Sequence, residues 1–168
     1  MSEESEIFPV EIRKLQRAEE ARICAQFMAT SEPWIPLHRT YDDSLKILRD
    51  PSKEVYVAVS GEMVVGFIII NMNGHFIGYI QTVCTGPAWR RKGIGSQLLA
   101  FAEERIFRET PNVFMCVSSF NTEAQKLYQR LGYEVIGELR DYLVYGDTEI
   151  LLRKTRGPLT GFRKGGCY

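Results

Sequence analysis

Two runs of β-branched residues, Val55 to Val59 and Val64 to Ile70, flank Ser60-Gly61-Glu62, and that arrangement restricts the chain more than any other segment. Branching at Cβ favours extended backbone, and a short glycine-bearing separator joins the runs as antiparallel strands around a tight turn. A third strand, Gly78 to Thr85, follows the turn signal Asn73-Gly74. Ile94, Leu98, Leu99, Ala102 and Ile106 then mark one face of a helix, and Val113 to Ser118 returns to strand. Ala124, Leu127, Tyr128 and Leu131 repeat at i, i+3, i+4 and i+7, with Gly132 placed to stop that helix. Tyr133 to Leu139 and Glu149 to Leu152 read as two closing strands. Upstream lie a short strand near Pro9 to Lys14, a helix carrying Cys24, Phe27 and Met28, a loop from Ser31 to Arg39, and a second short helix near Asp42 to Arg49. The order β-α-α-β-β-β-α-β-α-β-β predicts an α/β (α+β) fold with a mixed, mostly antiparallel sheet and helices on its faces.

A chain of 168 residues suits one domain, which buries roughly 70% of its unfolded surface at this size. Residues 1–154 are read as that domain and 155–168 as a tail, where Gly, Pro and basic residues replace the apolar pattern. Lys plus Arg and Asp plus Glu number 21 each, so overall charge supplies no case for a nucleic-acid or anionic-membrane partner. The acidic start MSEESEIF lacks a secretory pattern, and no apolar run approaches the ~20 residues that span a bilayer, so a soluble cytoplasmic protein is expected. Cys24, Cys84, Cys116 and Cys167 form no CxxC pair, and the first three sit in apolar segments as space-filling reduced thiols. With only His38 and His75 available, no metal site is expected.

The segment Cys84 to Ser96 connects a strand to a helix, and its glycines fall where the backbone must turn and approach a ligand. Free N–H groups at the helix start would then face an anion, and Arg90, Arg91 and Lys92 add charge suited to a pyrophosphate. Gly93-Ile94-Gly95 alone is weak evidence, because a basic triplet is also an ordinary solvated face. There is no third spaced glycine for a dinucleotide fingerprint, and Lys92 precedes the glycines, unlike the lysine of a Walker loop.

Arg90-Arg91-Lys92-Gly93-Ile94-Gly95 resembles the Gln/Arg-x-x-Gly-x-Gly/Ala loop of the GNAT superfamily. Asn121-x-x-Ala124-x-x-Leu127-Tyr128-x-x-Leu131-Gly132-Tyr133 is similar to that family's helix after the fifth strand, and the element order agrees from about Phe8 to Lys154. The resemblance implies a six- to seven-stranded sheet with about four helices, splayed central strands and acetyl-CoA lying between Ile80 to Thr85 and Val113 to Ser118. It implies pantetheine pairing with the backbone of Val83, Cys84 and Thr85 like an added strand, and phosphate contacts along Arg90 to Ser96. It also implies that Asn121 contacts the pantetheine arm and that the Tyr128 hydroxyl points at the cofactor sulfur. On spacing alone, Tyr128 is a core aromatic of its helical face and Asn121 an N-cap.

The implied reaction is direct attack of a neutral amine on the thioester, with Tyr128 protonating the departing thiolate. Cys84 or Cys116 as a covalent nucleophile lacks a local histidine partner. Many relatives carry a glutamate on the strands Tyr79 to Thr85 or Val113 to Ser118, and this chain has none there; Glu138, Asp141 and Glu149 are substitutes by type, with exposure the ordinary reading for each. Trp34, Tyr79, Gln81, Glu138 and Tyr142 are the candidate acceptor contacts. Arg140 to Asp147 resembles the aromatic hairpin of protein N-terminal acetyltransferases, although Tyr142 and Tyr145 are not adjacent. A small-molecule amine is therefore the expected acceptor, with a protein α-amine as the alternative. A non-catalytic acyl-CoA sensor is the reading from another class, and a homodimer is left open.

Overall fold

The computed structural model describes residues 9–31, 34 and 36–165. The start 1–8, loop positions 32, 33 and 35, and Cys167 lie outside the described residues. The elements are β1 (Glu11–Lys14), α1 (Ala18–Thr30), α2 (Tyr41–Leu48), β2 (Glu54–Ser60), β3 (Met63–Asn71), β4 (Tyr79–Thr85), α3 (Ile94–Phe107), β5 (Asn112–Ser118), α4 (Thr122–Arg130), β6 (Glu134–Arg140) and β7 (Thr148–Thr155). Their order is the one expected from sequence. No helix among the described residues is long and apolar enough to cross a membrane.

The seven strands form one sheet in the order β1-β2-β3-β4-β5-β7-β6, antiparallel throughout except at β4–β5. Helices cover both faces, which explains why β2 and β3 are apolar at nearly every position. On one face Leu98, Leu99, Ala102 and Ile106 of α3 pack with Tyr56, Ile68, Ile70, Val113 and Met115. On the other, Cys24, Ala25 and Met28 of α1 and Leu48 of α2 pack with Val57, Phe67, Ile69 and Cys84. Helix α4 ends as its sequence predicts, with Gly132 just past the cap at a φ of 91°, in the left-handed region glycine tolerates.

β4 and β5 pair at two positions only, Tyr79↔Phe114 and Ile80↔Met115. Immediately beyond, Ile70 faces Ile80 while Ile69 faces Thr82, so Gln81 is an extra residue on β4. Such a bulge bends the strand that carries it. From there β4 stays paired with β3 as far as Thr85, and β5 stays paired with β7 as far as Ser118, leaving a gap between them. The splayed central pair expected from the family resemblance is present. The described part of the tail crosses the end of α3, where Arg156 donates to the Pro111 carbonyl at 2.9 Å and its guanidinium lies 4.0 Å from the Phe107 ring centre.

Helix α1 is tied to β1 by Glu20, which is 2% exposed. Its carboxylate accepts from Arg13 at 2.6 Å and from the backbone N–H groups of Gln16 and Arg17 at 2.9 and 3.2 Å. The Arg13 bond outweighs burial and, with the two amides, lowers the Glu20 pKa from 4.5 to about 2. A depressed carboxylate stabilises the fold fully above its unfolded pKa, and that stabilisation is lost as pH falls through the folded value. Urea unfolding should therefore show on the order of 3 kcal/mol of Glu20-dependent stability disappearing between about pH 5 and pH 2. Glu20→Gln should be less stable at neutral pH and lose stability less steeply in that window; parallel curves for the two proteins would refute the linkage.

Candidate active site

The segment between β4 and α3 is built to leave helix amides free. One 3₁₀ turn, Pro87–Trp89, is followed by Arg91 at a φ of 60° and Gly93 at 75°. Gly93 is the N-cap of α3 and has no side chain to cap the first-turn N–H groups, and no acidic residue occupies that turn. Arg90, Arg91, Lys92 and Ser96 are exposed around this helix start. Lys92 lies 5.8 Å over the Trp89 ring. Ile94 points into the core at 1% exposure, so only its backbone is available to a ligand. A helix start with free donors and adjacent cations has the composition and geometry that suit an anion.

A narrow cavity of ≈ 200 Å³ runs from this loop into the gap. Arg90 and Gly95 line its outer end, Val83, Cys84 and Thr85 its β4 side, and Asn121, Leu127 and Tyr128 its α4 side. A second cavity, of ≈ 350 Å³, opens on from it, and the two share Trp34, Val83, Asn121 and Tyr128. Tyr128 thus stands at their junction. Its ring meets Tyr133 edge-on at 6.0 Å, it is 8% exposed, and its hydroxyl makes no hydrogen bond among the described residues. Burial pushes its pKa up to about 12, which keeps it a proton donor at neutral pH. Asn121 is the N-cap of α4, its Oδ1 accepting from the Ala124 N–H at 3.3 Å, and it lines both cavities as well.

The larger cavity brings together Trp34, Tyr79, Gln81 and Tyr142 from the expected acceptor contacts. Tyr142 stands at its rim, 61% exposed. Glu138 is not there: it is exposed on β6 opposite Ile150, one strand beyond the cavity floor, and this corrects its expected place. Glu149 departs from its expected exposure in the other direction. It is 5% exposed, faces Ser118 across the β5–β7 ladder, lines the cavity, and accepts a 2.5 Å hydrogen bond from the Ser118 hydroxyl. Burial raises its pKa; the Ser118 bond pulls the other way and Asp147 adds to the rise. Asp141 is a loop brace, accepting from the Gly146 N–H at 2.6 Å.

The cysteines resolve in two ways. Cys24 and Cys84 are core thiols, with burial holding the Cys84 pKa up to about 12. Cys116 is half-buried on the cavity floor with Tyr79, and its pKa is raised chiefly by burial, which disfavours the nucleophilic thiolate. Sequence reasoning did not single out Arg39 or Ser118, which also line the cavity. Ser118 carried a signal only through its pairing with Glu149, and Arg39 carried none, being one arginine in an irregular loop.

A model of the Acetyltransferase (GNAT) family matches residues 16–133. Among curated proteins, the chain is 33% identical over 93 residues to the aminoalkylphosphonate N-acetyltransferase of Salmonella typhimurium, a match spanning 52% of this chain and 60% of that one. It is 35% identical over 72 residues to the chloroplastic GCN5-related N-acetyltransferase 6 of Arabidopsis thaliana, covering 42% of this chain and 25% of the other. The chain thus spans less than two thirds of the length of these relatives. Its fold is similar to an aminoglycoside 6'-N-acetyltransferase complexed with coenzyme A, with a TM-score of 0.68 at 16% identity, covering 88% of this chain and 98% of that one. The family match covers the bulged strand, the cation-flanked helix start and α4 alike, and the chain belongs to the GNAT acetyltransferase family.

Proposed function

We propose that the chain transfers an acetyl group from acetyl-CoA to a primary amine of a small molecule, by direct attack within a ternary complex. The observation that carries this reading is the meeting of two cavities at Tyr128, one ending at the cation-flanked start of α3 and the other at the buried carboxylate of Glu149. Bound acetyl-CoA supplies a thioester carbonyl. Arg90, Arg91, Lys92 and the N–H groups of Gly93, Gly95 and Ser96 hold its pyrophosphate, and the free edge at Val83 to Thr85 offers backbone partners to its amide-bearing arm. The unpaired edge fits such an arm because backbone groups in the gap need partners. A structural neighbour was solved in complex with coenzyme A, the thiol that such a donor releases.

On the acceptor side an alkylamine titrates near ~10.4 and enters as ammonium, so it must lose a proton before attack. Glu149 is the one carboxylate lining the cavity among the described residues. It holds the ammonium and accepts its proton, with Ser118 fixing the carboxylate's orientation. As the C–N bond forms and the C–S bond breaks, the Tyr128 hydroxyl gives its proton to the leaving sulfur, and the second proton lost by the acetylated nitrogen passes through solvent to restore the hydroxyl. A small acceptor agrees with the ≈ 350 Å³ volume and with the substrates named for the phosphonate- and aminoglycoside-modifying relatives. A protein α-amine is the second reading, favoured by exposed Tyr142 and Leu143 on the rim.

Thiol release from acetyl-CoA, measured across small amines and peptides with free N-termini, tests the reading. Release with small amines is expected, and cofactor binding without release on any acceptor would point instead to a sensor. A hundredfold excess of acetyl-CoA over its Kd should stabilise the fold by about 2.7 kcal/mol. Tyr128→Phe should lower kcat by about 10²-fold or more while leaving acetyl-CoA affinity nearly intact; unchanged single-turnover chemistry would remove Tyr128 from the acid role. Activity should also fall as pH drops through the raised pKa of Glu149, because protonation removes the base. Glu149→Gln should abolish that acid limb, and an unaltered limb would assign the titration elsewhere.

A further inference from the structure

Two side chains lining the acceptor cavity carry full charge among the described residues, Glu149 on β7 and Arg39 from the α1–α2 loop. Neither makes a salt bridge among the described residues; Arg39 has Asp43 of α2 as an electrostatic neighbour outside the cavity, and one cavity of ≈ 350 Å³ contains both Glu149 and Arg39. An uncompensated carboxylate that is 5% exposed is costly to maintain. Thr82 adds a third open requirement: it lines the same cavity at 4% exposure, and its hydroxyl has no hydrogen-bond partner. Among the described residues, a carboxylate and a guanidinium that form no salt bridge, together with an unpartnered hydroxyl, share one small space and describe the complement of a ligand bearing both charges.

We propose that the acceptor is a small zwitterion, with its amine at Glu149 and a carboxylate, phosphonate or phosphate of the same molecule at Arg39. The inference rests on the acetyltransferase reading and narrows its substrate class. A polyamine would find one carboxylate for several ammonium groups and would bring a second positive charge towards Arg39. A monoamine with no anionic group would offer Arg39 no counter-charge inside the cavity. Specificity here comes as much from rejecting the wrong charge as from binding the right one.

The test is thiol release from acetyl-CoA with matched primary amines: β-alanine and aminoethylphosphonate against propylamine, ethylenediamine, an aminoglycoside and a short C-terminally amidated peptide without acidic side chains. The anionic amines are expected to exceed propylamine and ethylenediamine in kcat/KM by about tenfold or more. Arg39→Glu should reverse that order in favour of the diamine, a gain that mere loss of structure cannot produce; the acetyl-CoA-induced rise in Tm confirms that the variant is folded. Turnover on propylamine, the diamine, the aminoglycoside or the peptide equal to or above that on the anionic amines overturns the zwitterion alone. An unchanged order in Arg39→Glu does the same. Absence of release with every amine overturns both this inference and the acetyltransferase reading.

Discussion

The failure of β4 and β5 to pair beyond Ile80 and Met115 is the constraint on which the site depends. Backbone N–H and C=O groups facing a gap must find partners, and unsatisfied ones are costly. The gap stays open because each strand is held on its far side, β4 by β3 and β5 by β7, along its remaining length. The extra residue at Gln81 bends β4 where the pairing ends. An opening made by rigid strands joins the face covered by α3 and α4 to the face covered by α1 and its following loop. The two cavities are the two ends of that passage.

Charge is distributed along the passage although the chain as a whole is neutral. Three cations stand at the α3 start, a neutral phenol at the junction, and a buried carboxylate at the far end. Glu20 and Glu149 show how partners set the state of a buried carboxylate. They are 2% and 5% exposed, yet the first is lowered to about 2 and the second is raised. Glu20 meets a guanidinium and two backbone amides, whereas Glu149 meets one hydroxyl and an unfavourable neighbour in Asp147. A satisfied carboxylate braces a helix, and an under-satisfied one in a cavity is poised for a ligand or a proton.

The element order was legible because each segment follows its own period: β-branched runs in β2 and β3, and the i, i+3, i+4 repeat in α3 and α4. The basic, glycine-bearing turn into α3 was legible for the same local reason, since cations and glycines occur within seven residues of one another. On the larger cavity Trp34, Tyr79, Gln81 and Tyr142 were legible, but which carboxylate lines it was not. Glu138 and Glu149 lie in the same hairpin, but the chain passes through β6 at the sheet edge before returning as β7 beside β5. The later residue therefore faces Ser118, and the earlier one faces solvent. Nothing short-range encodes that insertion, because it depends on pairing between segments about thirty residues apart.

Tyr128 and Asn121 show why their structural and functional readings did not compete. The Asn121 Oδ1 caps α4, which leaves its amide nitrogen without a hydrogen bond among the described residues at the junction of the cavities. The Tyr128 ring packs against Tyr133, and Tyr133 is held by Glu103, which also binds Lys154 of β7 at 2.7 Å. That packing fixes the phenol while leaving its hydroxyl unbonded. The acid role proposed for Tyr128 asks for a side chain that is immobile yet uncommitted, since a hydrogen bond to the protein would have to break before the proton could move. The apolar helical spacing that marks Tyr128 as core is thus the means by which its oxygen is held at the passage, and removing the hydroxyl leaves the ring packing in place.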